Sequence, residues 1–236
     1  MPNNYFAFKQ FVVKQDRCAF KVGTDGVLLG ASAGVDGREA ILDIGTGTGL
    51  IALMLAQRSE ASITAIEPDS ISCQQARENI AGSKWKERIR VIETDLQKLS
   101  KQDMKFDLIV TNPPFFSNSL VNHDPRKSAA RHNISLSTED LLEGVQRLLS
   151  RDGYFQLIMP YAEGNIFIAE ASSYSFYCNS IVKVRPLPTS EVRRLILSFS
   201  RHQLSPRESF LTIEHGKRHD FTEDYKALTR DYYLKF

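Results

Sequence analysis

Cysteine is scarce in this chain and what there is stands apart. Cys18, Cys73 and Cys178 have no C-x-x-C or Cys/His ligand spacing, so neither a disulfide framework nor a zinc site is indicated, and no metal is expected. No apolar run approaches the ~20 residues that span a bilayer, and Met1 to Phe8 lack a long apolar stretch behind a basic one, which argues against a membrane span or a secretory leader. A reducing compartment, the cytoplasm, fits best. Charge of one sign is missing too: 30 Lys and Arg against 28 Asp and Glu leave +2, so nucleic-acid binding would need a local basic patch. Repeats and low-complexity tracts are absent. What remains is 236 residues, 42% hydrophobic and 25% charged, the composition of an ordinary soluble globular protein with one full core, and not of a coil or a fibre.

The middle of the chain alternates short β-branched apolar runs with helix-like segments, which argues for an α/β architecture with a largely parallel sheet. Ala40 to Ile44, Ser62 to Ile66, Arg90 to Glu93 and Phe106 to Thr111 are compact runs suited to strands covered on both faces. Leu50 to Arg58 and Ser70 to Ile80 read as crossover helices. Ser137 with Asp140 resembles a capping box ahead of Leu141, Leu142, Val145, Leu148 and Leu149, a helix expected to stop near Asp152-Gly153, with a strand from Tyr154 to Met159 behind it. After a helix over Ile166 to Ala171, Phe176 to Val184 and Val192 to Phe199 are strands joined by a link too short for a parallel crossover, so one strand of the sheet is reversed. Phe210 to Ile213 and a helix from Thr222 follow without an evident place on the sheet.

Three glycines, Gly45, Gly47 and Gly49, stand between the first strand and the first crossover helix. Glycines there permit a tight turn and close approach of a ligand, while the helix N-terminus aims free N–H groups at an anion. The dinucleotide fingerprint G-x-G-x-x-G would need glycine where Leu50 stands, which disfavours NAD. The order Asp43-x-Gly45-x-Gly47-x-Gly49 instead resembles the first motif of class I S-adenosylmethionine-dependent methyltransferases. Glu67, at the tip of the second strand, is placed to accept hydrogen bonds from both ribose hydroxyls, and Asp95, after the third, to take the adenine amine.

Directly after the fourth strand comes Asn112-Pro113-Pro114-Phe115, with Phe116 next. The lone pair of an exocyclic base amine is delocalised, so an enzyme methylating it must hold its N–H groups with acceptors and align the nitrogen with the methyl donor. Asn112 offers a side-chain carbonyl and Pro113 a backbone one; the prolines stiffen the loop, and Phe115 can stack on an extruded base. This pair of motifs is similar to those of amino-methyltransferases acting on adenine N6, cytosine N4, guanine N2 or glutamine N5, and the acceptor stays open on these residues alone. The stretches from Phe8 to Phe11, Gln15 to Cys18 and Lys21 to Ala31, together with the run from Leu228 to Lys235, resemble the bacterial tRNA(Val) adenine-N6-methyltransferase family over nearly the whole chain.

That resemblance implies a Rossmann-like class I fold, α/β, with a seven-stranded, mostly parallel sheet reversed once near the C-terminus. It implies S-adenosylmethionine as cofactor, the adenosine beside the anticodon of a valine tRNA as substrate, and Thr24 and Asp25 closing over the methionine end of the cofactor. The alternatives are another acceptor, rRNA guanine or protein glutamine, or an RNA-binding module without catalysis. A single domain, working as a monomer, is expected: residues 1–39 close the cofactor site, 40–200 form the sheet and 201–236 extend it. For the RNA, Arg126, Lys127 and Arg131 lie in a loop-like segment behind the Asn-Pro-Pro-Phe motif, where a basic loop can grip phosphates. A second basic stretch, Lys183 to Arg218, carries eight Lys and Arg against three Glu, an excess equally compatible with exposed strand faces.

Overall fold

The computed structural model describes residues 3–18, 20–113 and 136–235. The chain opens with a short antiparallel hairpin, β1 (Tyr5–Ala7) and β2 (Val12–Lys14), and helix α1 (Thr24–Ser32). It then winds β3 (Ala40–Ile44), α2 (Leu50–Arg58), β4 (Ser62–Glu67), α3 (Ser70–Ala81), β5 (Ile89–Glu93), the short α4 (Leu96–Leu99) and β6 (Phe106–Thr111). Helix α5 (Thr138–Leu148), β7 (Leu149–Pro160), α6 (Tyr161–Ser172), β8 (Tyr177–Arg185), β9 (Arg194–Ser200), β10 (Arg207–Thr212) and α7 (Glu223–Thr229) complete it.

The main sheet has eight strands in the order β10-β8-β9-β7-β6-β3-β4-β5. Among the described residues only β9 is reversed in this sheet, antiparallel to both β7 and β8. The expected seven strands become eight because β10 pairs in parallel with β8 and forms an outer edge, so the segment after residue 200 is partly sheet. Strand alternation divides the core into two layers. Ile41, Leu108, Val110 and Ile158 pack toward α1, α2 and α7; Leu42, Ile109, Phe155 and Leu157 pack toward α4, α5 and α6. Helix α2 is apolar nearly all round because α1 covers its other side: a Cβ on Gly26 would lie 3.1 Å from Leu50 Cδ2, and one on Gly30 would lie 2.8 Å from Met54 Sδ.

The Ser137/Asp140 capping box is present. The Asp140 amide donates to Ser137 Oγ at 3.0 Å, and that hydroxyl donates to Asp140 Oδ2 at 2.7 Å. Helix α5 ends four residues sooner than expected because Leu149 pairs with Phe106 and enters the sheet, and Asp152-Gly153, the expected stop of the helix, falls at a register shift within β7. At the other end of the chain Tyr232, 1% exposed, donates its hydroxyl to Met54 O at 3.1 Å and accepts Lys9 N–H on its carbonyl at 2.8 Å. The last residues are thereby wedged between α2 and the N-terminal hairpin. Among the described residues no helix is long and apolar enough to cross a membrane.

Candidate active site

Chain direction reverses its march across the sheet between β3 and β6: β4 and β5 lie on one side of β3, and β6 and β7 on the other. Ligands of open α/β sheets bind at such a switch point, outside the carboxyl ends of the strands. Here Ile44 and Thr111 are register partners, and the Thr111 hydroxyl donates to Ile44 O at 2.9 Å. The next residue along each strand is Gly45 on one side and Asn112 on the other, so the topology brings both sequence motifs to one spot. Asn112 and Pro113 are half-buried there. Pro114, Phe115, Arg126, Lys127 and Arg131 lie outside the described residues.

The loop from Gly45 to Gly49 turns on three residues of positive φ, 69°, 55° and 81°, a region that side chains other than glycine's enter at a cost. Ile66 O accepts both Gly45 N–H (2.9 Å) and Thr46 N–H (3.0 Å), which pins the loop against the end of β4. A Cβ on Gly45 or Gly47 would meet nothing within 4 Å, so their backbone faces open space a ligand can enter. Asp43 lies beneath this loop, fully buried, and accepts from Thr46 Oγ1 at 2.6 Å. Burial pushes its carboxyl up to about 7 against the opposing hydrogen bonds of Thr46 and the Ala52 amide. Asp43 thus braces the loop from below.

Glu67 is 6% exposed and gripped by the backbone: Gly47 N–H donates to Oε2 at 2.8 Å and Asp69 N–H to Oε1 at 3.1 Å. Burial raises its carboxyl above the usual range and the two amides pull back, with the Asp69 charge adding to the rise. Each oxygen keeps acceptor capacity beyond its one amide. Asp95 follows β5 and caps α4, accepting from Lys98 N–H at 2.7 Å and pairing with Lys98 Nζ at 2.7 Å. Burial works against its ionisation, and the bonds from Lys98 outweigh that and hold it below the usual range.

Thr24 is exposed at the start of α1, and Asp25 accepts from Arg194 Nε at 2.8 Å. Arg194 opens the reversed strand opposite Pro160, the last residue of β7, so this pair stands at the same sheet edge as Asn112. The packing of Gly26 on Leu50 brings the N-terminus of α1 to the glycine loop.

Asn79 carries no motif signal in the sequence, and nothing there assigns Cys18 a role at the site. Asn79, 4% exposed on α3, donates Nδ2 to Thr48 O (2.8 Å) and Lys14 O (2.9 Å) and accepts Lys14 N–H on Oδ1 (2.9 Å), stitching the glycine loop to β2. Cys18 lies beside Glu67, Asp69 and Ser72; burial pushes its thiol up to about 11, a Ser72 hydrogen bond lowers it, and the two carboxylates raise it further. A buried carboxylate at the second strand tip, a third carboxylate one strand further and an open glycine cradle form a donor and acceptor set that fits a nucleoside cofactor. Among the described residues no group of three or more His, Cys, Asp and Glu is placed to hold a metal ion.

The model of the methyltransferase small domain family matches residues 27–159, which include the glycine loop, Glu67, Asp95 and Asn112. Along its whole length the chain is similar to proteins named tRNA1(Val) (adenine(37)-N6)-methyltransferase. That of Bacteroides thetaiotaomicron is 47% identical over 99% of both chains, and that of Trichodesmium erythraeum 43% identical over all of both. Among solved structures, a predicted O-methyltransferase of Agrobacterium tumefaciens superposes with a TM-score of 0.65 at 23% identity, covering 88% of this chain and 96% of the other. A TehB-like methyltransferase of Corynebacterium glutamicum gives 0.53 at 20% identity, with 76% and 89% covered. These structures share the class I fold.

Proposed function

The chain belongs to the tRNA1(Val) (adenine(37)-N6)-methyltransferase family, and from that premise we propose that it transfers a methyl group to the exocyclic N6 of adenosine 37 in a valine tRNA, as a cytoplasmic monomer. The observation that supports this reading is the adjacency of Gly45 and Asn112 across the Ile44/Thr111 pair, where a cofactor held by the glycine loop would lie beside the loop that takes the amine. S-adenosylmethionine, the methyl donor of this fold, supplies an electrophilic methyl on a sulfonium centre. Glu67, held by its two amides, keeps lone pairs that would accept from the ribose hydroxyls of the cofactor. Asp95, at the next strand tip, would accept from the adenine amine of the cofactor, and Asp25 with Thr24 would hold the methionine end.

On the other side of the cradle the side-chain carbonyl of Asn112 and the backbone carbonyl of Pro113 accept the two N–H groups of the target adenine. Held in this way, the nitrogen presents its lone pair toward the methyl group, and the acceptors stabilise the positive charge that develops on it. The proton passes to solvent once methylation has made the nitrogen acidic, so no side chain of shifted pKa has to act first. Phe115 stacks on the extruded base, and Arg126, Lys127 and Arg131 hold nearby phosphates.

The test incubates the protein with methyl-labelled S-adenosylmethionine and an unmodified valine tRNA, followed by nuclease digestion and identification of the labelled nucleoside. N6-methyladenosine at position 37 is the expected product. Asn112→Ala should lose about 10²- to 10³-fold in rate, the usual loss for one preorganised contact to developing charge, with cofactor affinity kept. A labelled guanosine, or no transfer to RNA, overturns the assignment.

A further inference from the structure

The sheet edge remote from the glycine loop carries a second set of groups that the transfer chemistry does not use. β10 is the outermost strand, and four of its six residues are exposed. Its Phe210 stands 57% open to solvent, opposite Lys183 in the register with β8. Two cations lean on that ring: Lys183 Nζ is 5.7 Å and the Arg185 guanidinium carbon 5.4 Å from its centroid. Lys183 also pairs with Glu208 at 2.5 Å, while Arg185 is steadied by the Thr212 hydroxyl at 2.8 Å and makes no ion pair among the described residues.

Edge strands are often guarded by charge alone, which blunts pairing with another sheet. Guarding accounts for the lysine and arginine. It gives no reason for an exposed phenylalanine between them, since the ring is itself an apolar liability on an open edge. An aromatic face flanked by cations is instead the arrangement that holds single-stranded nucleic acid: bases stack on the ring and phosphates meet the charges.

Placement agrees with that use. β8 and β10 run parallel with β7, so Arg185 and Thr212 come to the same end of the strands as Asn112. Exposed Arg193 adjoins them through its amide bond to Val184 O, and exposed Lys217 and Arg218 lie in the turn beyond β10. Four strand steps separate β6 from β10, about 19 Å at the usual ~4.8 Å spacing, within the span of a stem-loop whose one base is inserted at Asn112.

We propose that Phe210 with Lys183 and Arg185 forms a second RNA-docking surface, on which an unpaired base of the substrate stacks while Arg185 and Arg193 meet the flanking phosphates. This rests on the assignment of tRNA as the substrate and adds where that tRNA is held away from the reacting base. The test measures binding of the full chain, saturated with S-adenosylhomocysteine, to a valine tRNA transcript by fluorescence anisotropy at several salt concentrations. Phe210→Ala should weaken binding about 5- to 150-fold, the range found for loss of one base stack, and Phe210→Trp should retain it. Arg185→Ala should lower the slope of log affinity against log salt by about 0.7 to 0.9, one released counterion.

Cofactor affinity, read by calorimetry, and melting temperature should not move in either variant. Wild-type affinity and slope in both variants overturn the surface, as does a wild-type dimer that Phe210→Ala converts to monomer, since the edge then serves self-pairing. A wild-type protein that neither binds nor methylates tRNA instead overturns the functional assignment itself, which separates the two failures.

Discussion

Replacing Asn79 by alanine isolates the link between the N-terminal hairpin and the cofactor loop. The side chain makes three hydrogen bonds of 2.8 to 2.9 Å while 4% exposed, two to Lys14 and one to Thr48. At about 1 kcal/mol net for each, the loss is about 3 kcal/mol. In a chain of this size that lowers the melting temperature by about 6 to 12 °C. The bond to Thr48 O bears on the loop directly, and its ~1 kcal/mol corresponds to about fivefold weaker cofactor binding. Differential scanning calorimetry reads the first effect and titration with S-adenosylhomocysteine the second. Asn79→Asp sharpens the test: it keeps the acceptor for Lys14 N–H but turns a second oxygen toward the carbonyls of Lys14 and Thr48. A carboxyl so placed has a folded pKa above its unfolded value of about 4, so its stability deficit against wild type grows as pH rises above 4. An alanine variant that melts within about 2 °C of wild type, less than these bonds are worth, and binds cofactor within about twofold refutes the linkage.

Asp43, whose folded carboxyl titrates near 7 against an ordinary value near 4, binds a proton in the native state that the unfolded state has already released; stability therefore falls as pH rises from about 4 to 7 and is level above. Asp43→Asn should flatten that fall in a series of thermal melts, and an unchanged slope counts against a buried, proton-holding Asp43. Gly30→Ala would place a Cβ 2.8 Å from Met54 Sδ and 2.9 Å from Met54 Cβ, and should cost about 1 to 3 kcal/mol in urea unfolding, whereas a neutral result means α1 can slide on α2. Asp25→Asn breaks a half-exposed ion pair with Arg194 worth at most about 1 kcal/mol of stability, yet should weaken cofactor binding measurably; a loss of stability without loss of affinity makes the pair structural only.

β3, α2 and β6 have the boundaries expected of them because each is an apolar run with a sharp chemical stop: Gly45 after Ile44, the polar Ser59-Glu60 after Arg58, Asn112-Pro113 after Thr111. The adjacency of the two motifs also follows from the order of strands in an open α/β sheet. Other parts depend on contacts distant in sequence. The three-residue strands β1 and β2 bury little of their own, and the hairpin is held by Phe8 and Phe11 packing near Trp85 and by Asn79. β10 has a single buried residue, Leu211, so no periodicity announces it as a strand of the main sheet. Asn79 belongs to no motif, and its proximity to the glycine loop arises only when α3 and β2 close on it. Asp95 has a dual character that its position alone did not reveal, since it caps α4 as well as standing at a strand tip.

The wedge made by Tyr232 has a bearing on when the protein becomes competent during synthesis. The carbonyl of Tyr232 holds the amide of Lys9, that hairpin continues into Lys14, and Lys14 is tied through Asn79 to Thr48 in the glycine loop. A nascent chain whose Tyr232 is still inside the ribosome lacks the first member of this relay, although β3 to β7 are already available to pair. The sheet can therefore assemble first, while the glycine loop gains its outer support only once Tyr232 has emerged. A polypeptide cut short before Tyr232 would be folded in its centre and loose at the glycine loop.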